Sequence, residues 1–322
     1  MSSRGRVLLT GAGGFIGRTS IEPLRAAGYE VHAVVSPAGD ATVEPLRQVD
    51  VRRADLLDSA SVDALIESVR PTHLLHFAWV ATPGEYRDSA ENYRWLSAGR
   101  NLLSAFARHG GERAVLAGSC AEYDWSRVGI CHEQSSPLAS DGRGRLSAYA
   151  ECKSAMQRSL VELGRAHGFS TAWGRIFFLF GPGEHRERLV ASVITRLLAG
   201  CEASATHGRQ IRSFLHVCDV GAAFAALLAS DVEGVVNIGS GEEISIAELL
   251  GRIARSIGRP DLLRLGARVA PPEEPAVLVP DIGRLRDEVG FTPRWTLDEG
   301  LADTIRWWRE RLDRPTGTGG QQ

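Results

Sequence analysis

The sequence predicts a doubly wound α/β fold, a parallel sheet with helices on both faces, joined to a smaller, discontinuous C-terminal lobe. Three observations carry this expectation. A glycine-rich turn, Gly11-Ala12-Gly13-Gly14-Phe15-Ile16-Gly17, separates a short apolar run from an amphipathic helical pattern. Apolar runs of strand length then alternate with helical patterns as far as about residue 176. Beyond that point the alternation loosens.

Taken in order, Val7-Leu8-Leu9-Thr10 is the first strand, and Ile21, Leu24 and Ala27 mark the buried face of the helix that Gly28 ends. Further strands fit 31–35, a segment just before Asp55, 73–77 after Pro71, 113–117 and 171–177. Helices fit 61–69, 89–109 and 147–167. Strands separated by helices of this length imply a parallel sheet covered on both sides. The later part reads as Gly181-Pro182-Gly183, a helix near 190–199, strand-like runs at 213–217 and 235–238, and an irregular loop marked by Pro271, Pro272 and Pro275. A last amphipathic helix spans 297–311, and the Gly- and Gln-rich stretch 315–322 is expected to be disordered.

A chain of 322 residues can bury a sizeable core without staples. Its formal charge of -2 gives no global basic field, so neither nucleic acid nor an anionic membrane is an expected partner. The opening Met1 to Arg6 leaves no room for a signal peptide, and the longest apolar stretch, about 220–229, is too short to cross a bilayer. A cytoplasmic enzyme is expected. Five cysteines without a C-x-x-C pair read as free thiols, and no metal site is expected. Among 37 basic residues the single lysine is Lys153.

The turn from Thr10 through Gly11, Gly14, Phe15, Ile16 and Gly17 places glycines where a backbone must turn tightly, approach a pyrophosphate and pack a helix on a sheet. The helix N-terminus then supplies free amides for the phosphates. Asp55 and Leu56 follow the third strand, where an acidic side chain can accept from an adenine amino group. Phe77, Ala78 and Trp79 end the fourth strand at the edge where ligands of open α/β sheets bind, and are expected to wall the cofactor. His76 reads as structural. The second strand ends at Ser36, with no acidic residue for the ribose 2′-hydroxyl, so NADP(H) is preferred over NAD(H); no arginine directly follows the strand, and Arg47, Arg52 and Arg53 are the candidates for a 2′-phosphate.

Tyr149 and Lys153 stand one helical turn apart and share a helix face. A nearby ammonium is expected to lower the tyrosine pKa toward neutrality, making it a general acid or base for interconverting carbinol and carbonyl. The same compact three-donor cation suits ribose hydroxyls better than a guanidinium would. Ser119, in the turn ending the strand before that helix, sits at the same sheet edge and can hydrogen-bond the reacting oxygen.

Thr10 to Gly17, Asp55-Leu56, His76 to Trp79, Ser119 to Tyr123, Tyr149-Ala150-Glu151-Cys152-Lys153, Gly181-Pro182-Gly183, Arg212 to Asp219 and Asn237-Ile238-Gly239 together resemble an extended short-chain dehydrogenase/reductase. That group holds nucleotide-sugar epimerases, dehydratases and ketoreductases. The resemblance covers nearly the whole chain. It implies a Rossmann domain from 1–176 plus about 210–242, and a lobe from about 177–209 and 243–314 that holds a nucleoside-diphosphate sugar. It also implies Ser119, Tyr149 and Lys153 as the catalytic triad and Arg212 as a contact of the substrate diphosphate. Trp79, Ser119, Glu122, Tyr149, His185 and Arg188 complete the expected substrate contacts, with 122–145 as a substrate-side loop.

In the family's 4,6-dehydratases an Asp-Glu pair follows the catalytic Ser/Thr, whereas here Cys120 and Ala121 stand there. Fucose-synthase-type epimerase/reductases carry cysteine where this chain has Ala121. The expected chemistry is therefore reduction of the C4 ketone of a nucleoside-diphosphate 4-keto-6-deoxyhexose. The alternatives are a 4-epimerase with tightly bound NAD, and a catalytically idle cofactor-sensing or scaffold protein. Phe178 and Phe180 depart from the family's asparagine and tyrosine, and the usual arginine near Pro271-Pro272 is absent. A homodimer is expected through the helices at 89–109 and 147–167, with Tyr93, Leu96, Leu103, Met156 and Leu160 contributing, unless these helices pack within the monomer.

Overall fold

The computed structural model describes residues 4–42, 44–141, 147–271 and 274–313, so the tail expected at 315–322 lies outside the described residues. In chain order the first half comprises β1 (Arg6–Thr10), α1 (Gly17–Ala26), β2 (Glu30–Val35), β3 (Asp50–Arg53), α2 (Ser59–Val69), β4 (His73–His76), α3 (Glu91–Arg108), β5 (Arg113–Ser119), β6 (Ile130–Cys131) and α4 (Ala148–His167). It continues with β7 (Ser170–Ile176), β8 (Phe178–Phe180), α5 (Leu189–Leu198), β9 (Ala203–Ser204), β10 (Ile211–Arg212) and β11 (Phe214–His216). The remainder is α6 (Val217–Ala229), β12 (Gly234–Ile238), β13 (Ile244–Ser245), α7 (Ile246–Ile257), β14 (Leu263–Arg264), β15 (Val277–Pro280) and α8 (Leu297–Asp313).

Seven parallel strands form the central sheet in the order β3-β2-β1-β4-β5-β7-β12. The chain winds outward from β1 in one direction and resumes at β4 in the other. The crevice at the carboxyl ends of β1 and β4 is therefore the switch point where such sheets bind ligands. There the Phe77 amide donates to the Thr10 carbonyl at 3.2 Å.

Alternation along β1 divides the core. Val7 and Leu9 pack with Leu24, Ala33 and Phe224 on the α1/α6 face, while Leu8 packs with Val34, Leu74, Phe106 and Met156 on the face of α2, α3 and α4. A separate cluster joins Phe180, Ile194, Leu250 and Trp308 from β8, α5, α7 and α8. Arg113 is buried at the foot of the sheet, donating to the carbonyls of Leu227, Leu228 and Val232 at 2.7 to 3.0 Å, and so caps the C-terminal end of α6.

The structure refines three expectations. The strand expected at 213–217 is present as β11 but ends at His216, because Val217 opens α6, a helix apolar on most sides that lies between α1 and the sheet; β10 is a separate strand before it. The helix α7 is additional, with Ser245 accepting the Glu248 amide at its start and Gly258 in the left-handed conformation at its end. Of the two placements left open for Leu103, Met156 and Leu160, the structure gives the monomer core; α3 and α4 pack on each other so closely that a Cβ at Gly99 would meet the Met156 sulfur at 2.8 Å. Tyr93 is exposed and donates to Glu151 at 3.0 Å.

Candidate active site

A cavity of about 1200 Å³ opens at the carboxyl edge of the sheet, between the glycine turn and the segments around β8, α5 and β10. Its floor is shaped by glycines. Gly11 has φ of +68°, and a Cβ there would sit 2.8 Å from the Ala78 amide nitrogen. A Cβ on Gly17 would overlap the Gly11 carbonyl, so the first turn of α1 can close on β1 only without one. α1 begins with no side-chain cap, so no side chain competes with an anion at its start, although the Arg18 and Thr19 amides donate to the Gly14 and Ile16 carbonyls at 3.3 and 3.0 Å. These features fit a dinucleotide pyrophosphate. Gly11, Gly14, Phe15, Ile16 and Gly17 line the cavity as expected, with Phe77, Ala78 and Trp79 as its wall.

Other expected cofactor contacts are placed differently. Thr10 is fully buried, its hydroxyl 2.7 Å from His76 Nδ1, so it ties β1 to β4 rather than facing the cavity. Leu56 is core, packed with the α2 cluster. Ser36 and Asp55 are exposed just beyond the ends of β2 and β3, outside the cavity wall. Asp55 accepts the Leu57 amide at 2.9 Å, while Asp58 caps α2. Arg53 donates to the carbonyls of Pro37 and Gly39, bracing the loop that starts at Ser36.

Ser119, Tyr149, Trp79, His185, Arg188 and Arg212 all reach the cavity. Ser147 caps α4 by accepting the Ala150 amide, which sets the first turn and aims Tyr149 and Lys153 along one face. Lys153 lies just behind the wall. Its Nζ donates to the Ala117 carbonyl at 2.9 Å and stands 4.0 Å over the Trp79 ring, which is held by a bond from its Nε1 to the buried Asn92. Burial pulls the ammonium down to about 7, while Glu122 acts in the opposite direction. His76, lowered to about 3 by burial and then by Lys153, is neutral and structural.

The expected lowering of Tyr149 toward neutrality is corrected. Its pKa is raised above the ordinary phenol value, first by burial and then by Tyr86, whose ring packs edge-to-face at 4.8 Å; a hydrogen bond with Ser119 only partly offsets this. Lys153 sits 5.8 Å from the Tyr149 ring and spends its donor on Ala117. The phenol is therefore protonated at neutral pH.

Glu122 is the second correction. It is fully buried and touches no cavity surface. Its carboxylate accepts the Ser119 amide at 2.8 Å, Trp173 Nε1 at 3.0 Å and Arg175 Nε at 2.8 Å, so no acceptor is left for a substrate. The neighbouring Cys120 lines the cavity, but burial pushes its thiol up to about 12, leaving it unreactive.

At the far end, Arg212 lines the cavity while paired with Glu274 at 3.2 Å, its guanidinium near the Phe178 ring. Arg188 packs over Tyr86. Sequence reasoning missed Glu184, a buried cavity-lining acid directly after Gly181-Pro182-Gly183 that is raised to about 8 by burial. It also missed Arg18 of α1, which donates to the Pro182 carbonyl and fastens that loop to the dinucleotide helix.

Sheet, glycine turn and cavity define an NAD-dependent enzyme of the extended short-chain dehydrogenase/reductase class. The chain belongs to the NAD dependent epimerase/dehydratase family, whose model matches residues 7–239. A dTDP-4-dehydro-6-deoxy-D-allose reductase of Streptomyces sp is 30% identical over 324 residues, covering 94% of this chain and 96% of the relative. Among solved structures, a double mutant of dTDP-glucose 4,6-dehydratase from Streptomyces venezuelae, with NAD bound, superposes with a TM-score of 0.80 at 26% identity, covering 95% of this chain and 97% of that one. A UDP-glucose 4-epimerase from Thermotoga maritima superposes at 0.83 with 21% identity, covering 96% and 100%, and shares the fold. The fold class and family expected from sequence are thus borne out.

Proposed function

We propose that the protein reduces the C4 ketone of a nucleoside-diphosphate 4-keto-6-deoxyhexose. One observation carries the reading: Ser119 and a protonated Tyr149 face one cavity with the glycine turn, while Cys120 and Ala121, beside them, offer neither acid nor base for eliminating water. The reductase relative from Streptomyces supports it.

A bound nicotinamide cofactor supplies the hydride. The chain's own residues do the rest. The Ser119 hydroxyl hydrogen-bonds the ketone oxygen and stabilises negative charge as it develops. Tyr149 gives its proton to that oxygen, and a phenol of raised pKa is in the right state to do so. Lys153, caged between Ala117 and Trp79, orients the ribose of the cofactor through its remaining donors. Trp79 and Tyr86 shield the reacting carbon from water, and Arg188, His185 and Arg212 hold the diphosphate, with Glu274 yielding its partner to it.

We further propose NADP(H) as the preferred cofactor, because the uncharged Ser36 and the nearby Arg53 suit a 2′-phosphate better than a carboxylate would. The separate hydrophobic core of β8, α5, α7 and α8 supports a substrate lobe at about 177–209 and 243–314, apart from a cofactor domain of 1–176 and about 210–242. A homodimer would use the outer faces of α3 and α4 around Tyr93, and the unpaired thiols suit the cytoplasm.

The test is to incubate the protein with a 4-keto-6-deoxy sugar nucleotide and follow loss of reduced-cofactor absorbance. The reading predicts NADPH consumed in proportion to product. Interconversion of a 4-hydroxy sugar nucleotide without added cofactor would instead identify a 4-epimerase. Tyr149→Phe is expected to lose on the order of 10²- to 10⁴-fold in kcat with cofactor binding intact; undiminished turnover would refute the proton-donor role.

A further inference from the structure

Three donors converge on Glu122, two from β7 and one from the end of β5: the Trp173 indole, the Arg175 guanidinium and the Ser119 amide. The ion pair with Arg175, at 2.8 Å, has both side chains almost wholly buried, and Arg175 keeps one further nitrogen, Nη1, buried without a partner. The backbone makes room for this group. A Cβ on Gly118 would stand 2.5 Å from a Glu122 oxygen and overlap the Trp173 indole nitrogen. Ser119 and Glu122 also close a reciprocal cap: Glu122 takes the Ser119 amide while the Ser119 hydroxyl accepts the Ala121 amide at 3.2 Å. The hydroxyl is thereby held beside Tyr149, with which it also hydrogen-bonds.

We infer that Glu122 is a positioning residue for the reduction, fixing the Ser119 turn from beneath through its bonds to the Ser119 amide, Trp173 and Arg175. This rests on the reductase reading. The groups facing its carboxylate are Arg175 and, through it, Tyr123 on one side, and Cys120, Tyr149 and Lys153 on the other. Toward Lys153 the carboxylate acts against the larger effect of desolvation; toward Tyr149 it disfavours phenolate. Both effects act in favour of the proton-bearing state that reduction requires. A counter-ion serving Arg175 alone would need neither the bond to Ser119 nor the place beneath Gly118.

The experiment compares wild type, Glu122→Gln and Glu122→Gln/Arg175→Met, which also removes the cation left unpaired. Both variants are expected to keep KM for the sugar nucleotide within about twofold while kcat falls roughly tenfold or more. The alkaline limb of the kcat profile should move down by about one pH unit, because Lys153 and Tyr149 surrender their protons earlier. Wild-type kcat and pH profile in either variant would overturn the inference, and if the single variant does not fold, the folded double variant decides alone. Absence of wild-type turnover would overturn the reductase reading instead. The pH dependence of NADPH binding, which Lys153 governs, then decides: a downward displacement in the variants supports the inference, and identical curves overturn it.

Discussion

Glu184→Gln should change the stability of this protein in a strongly pH-dependent way. The carboxyl is buried in the cavity wall, and one oxygen accepts the Ala191 amide at 3.2 Å, serving the first turn of α5, which has no side-chain cap of its own at Arg188. Burial raises its pKa from 4.5 to about 8, against the pull of that amide and of Arg188. The folded state thus holds this proton more tightly than the unfolded chain does. Its contribution is fully present below about 4.5 and is lost as pH rises through about 8, a total of at most about 5 kcal/mol. Glutamine cannot ionise, and its carbonyl can still accept from Ala191. Urea unfolding followed by tryptophan fluorescence should therefore show the two proteins within about 1 kcal/mol of each other near pH ~5 and the variant ahead by about 2–5 kcal/mol near pH ~9. Stability curves that run parallel across that range would refute the reasoning.

Gly17→Ala should weaken NADPH binding by about tenfold or more, since the added methyl overlaps the Gly11 carbonyl; a fluorescence titration reads this directly. Arg113→Met strips the donors from three carbonyls at the end of α6 and should cost about 3–5 kcal/mol of unfolding free energy, measured by urea denaturation. Ser36→Asp, beyond β2, should shift kcat/KM away from NADPH toward NADH by about tenfold or more through repulsion of a 2′-phosphate, and an unchanged ratio would count against the proposed cofactor preference.

The inner part of the sheet was legible because strands such as β1 are apolar runs buried on both faces, as Val7-Leu8-Leu9 shows by feeding two different clusters, whereas the edge strand β3 is polar and half-exposed. α6 stood out only as an apolar stretch at about 220–229, because a helix buried on most sides has no polar stripe to give a 3.6-residue period. The signal for α7 was present in Ser245, Glu248 and Gly258 and went unread. At the site, spacing placed Tyr149 and Lys153 on one helix face, but no spacing could say that Lys153 donates to Ala117 across 36 positions. Nor could it say that Glu122, three residues beyond Ser119, turns inward to Arg175 instead of outward to the cavity. Local order in the sequence fixes which residues are neighbours on an element; which face of a loop is wet depends on partners far along the chain.

Lys153 is the sole lysine of the chain and lies caged beneath Trp79. Protein produced with ¹³Cε-labelled lysine would accordingly give one side-chain resonance, free of any surface background and needing no assignment. Every other cationic side chain is arginine or histidine, so this nucleus is a built-in spectator of the active site, reporting protonation, cofactor arrival and ring-current changes from the neighbouring indole in a single molecule.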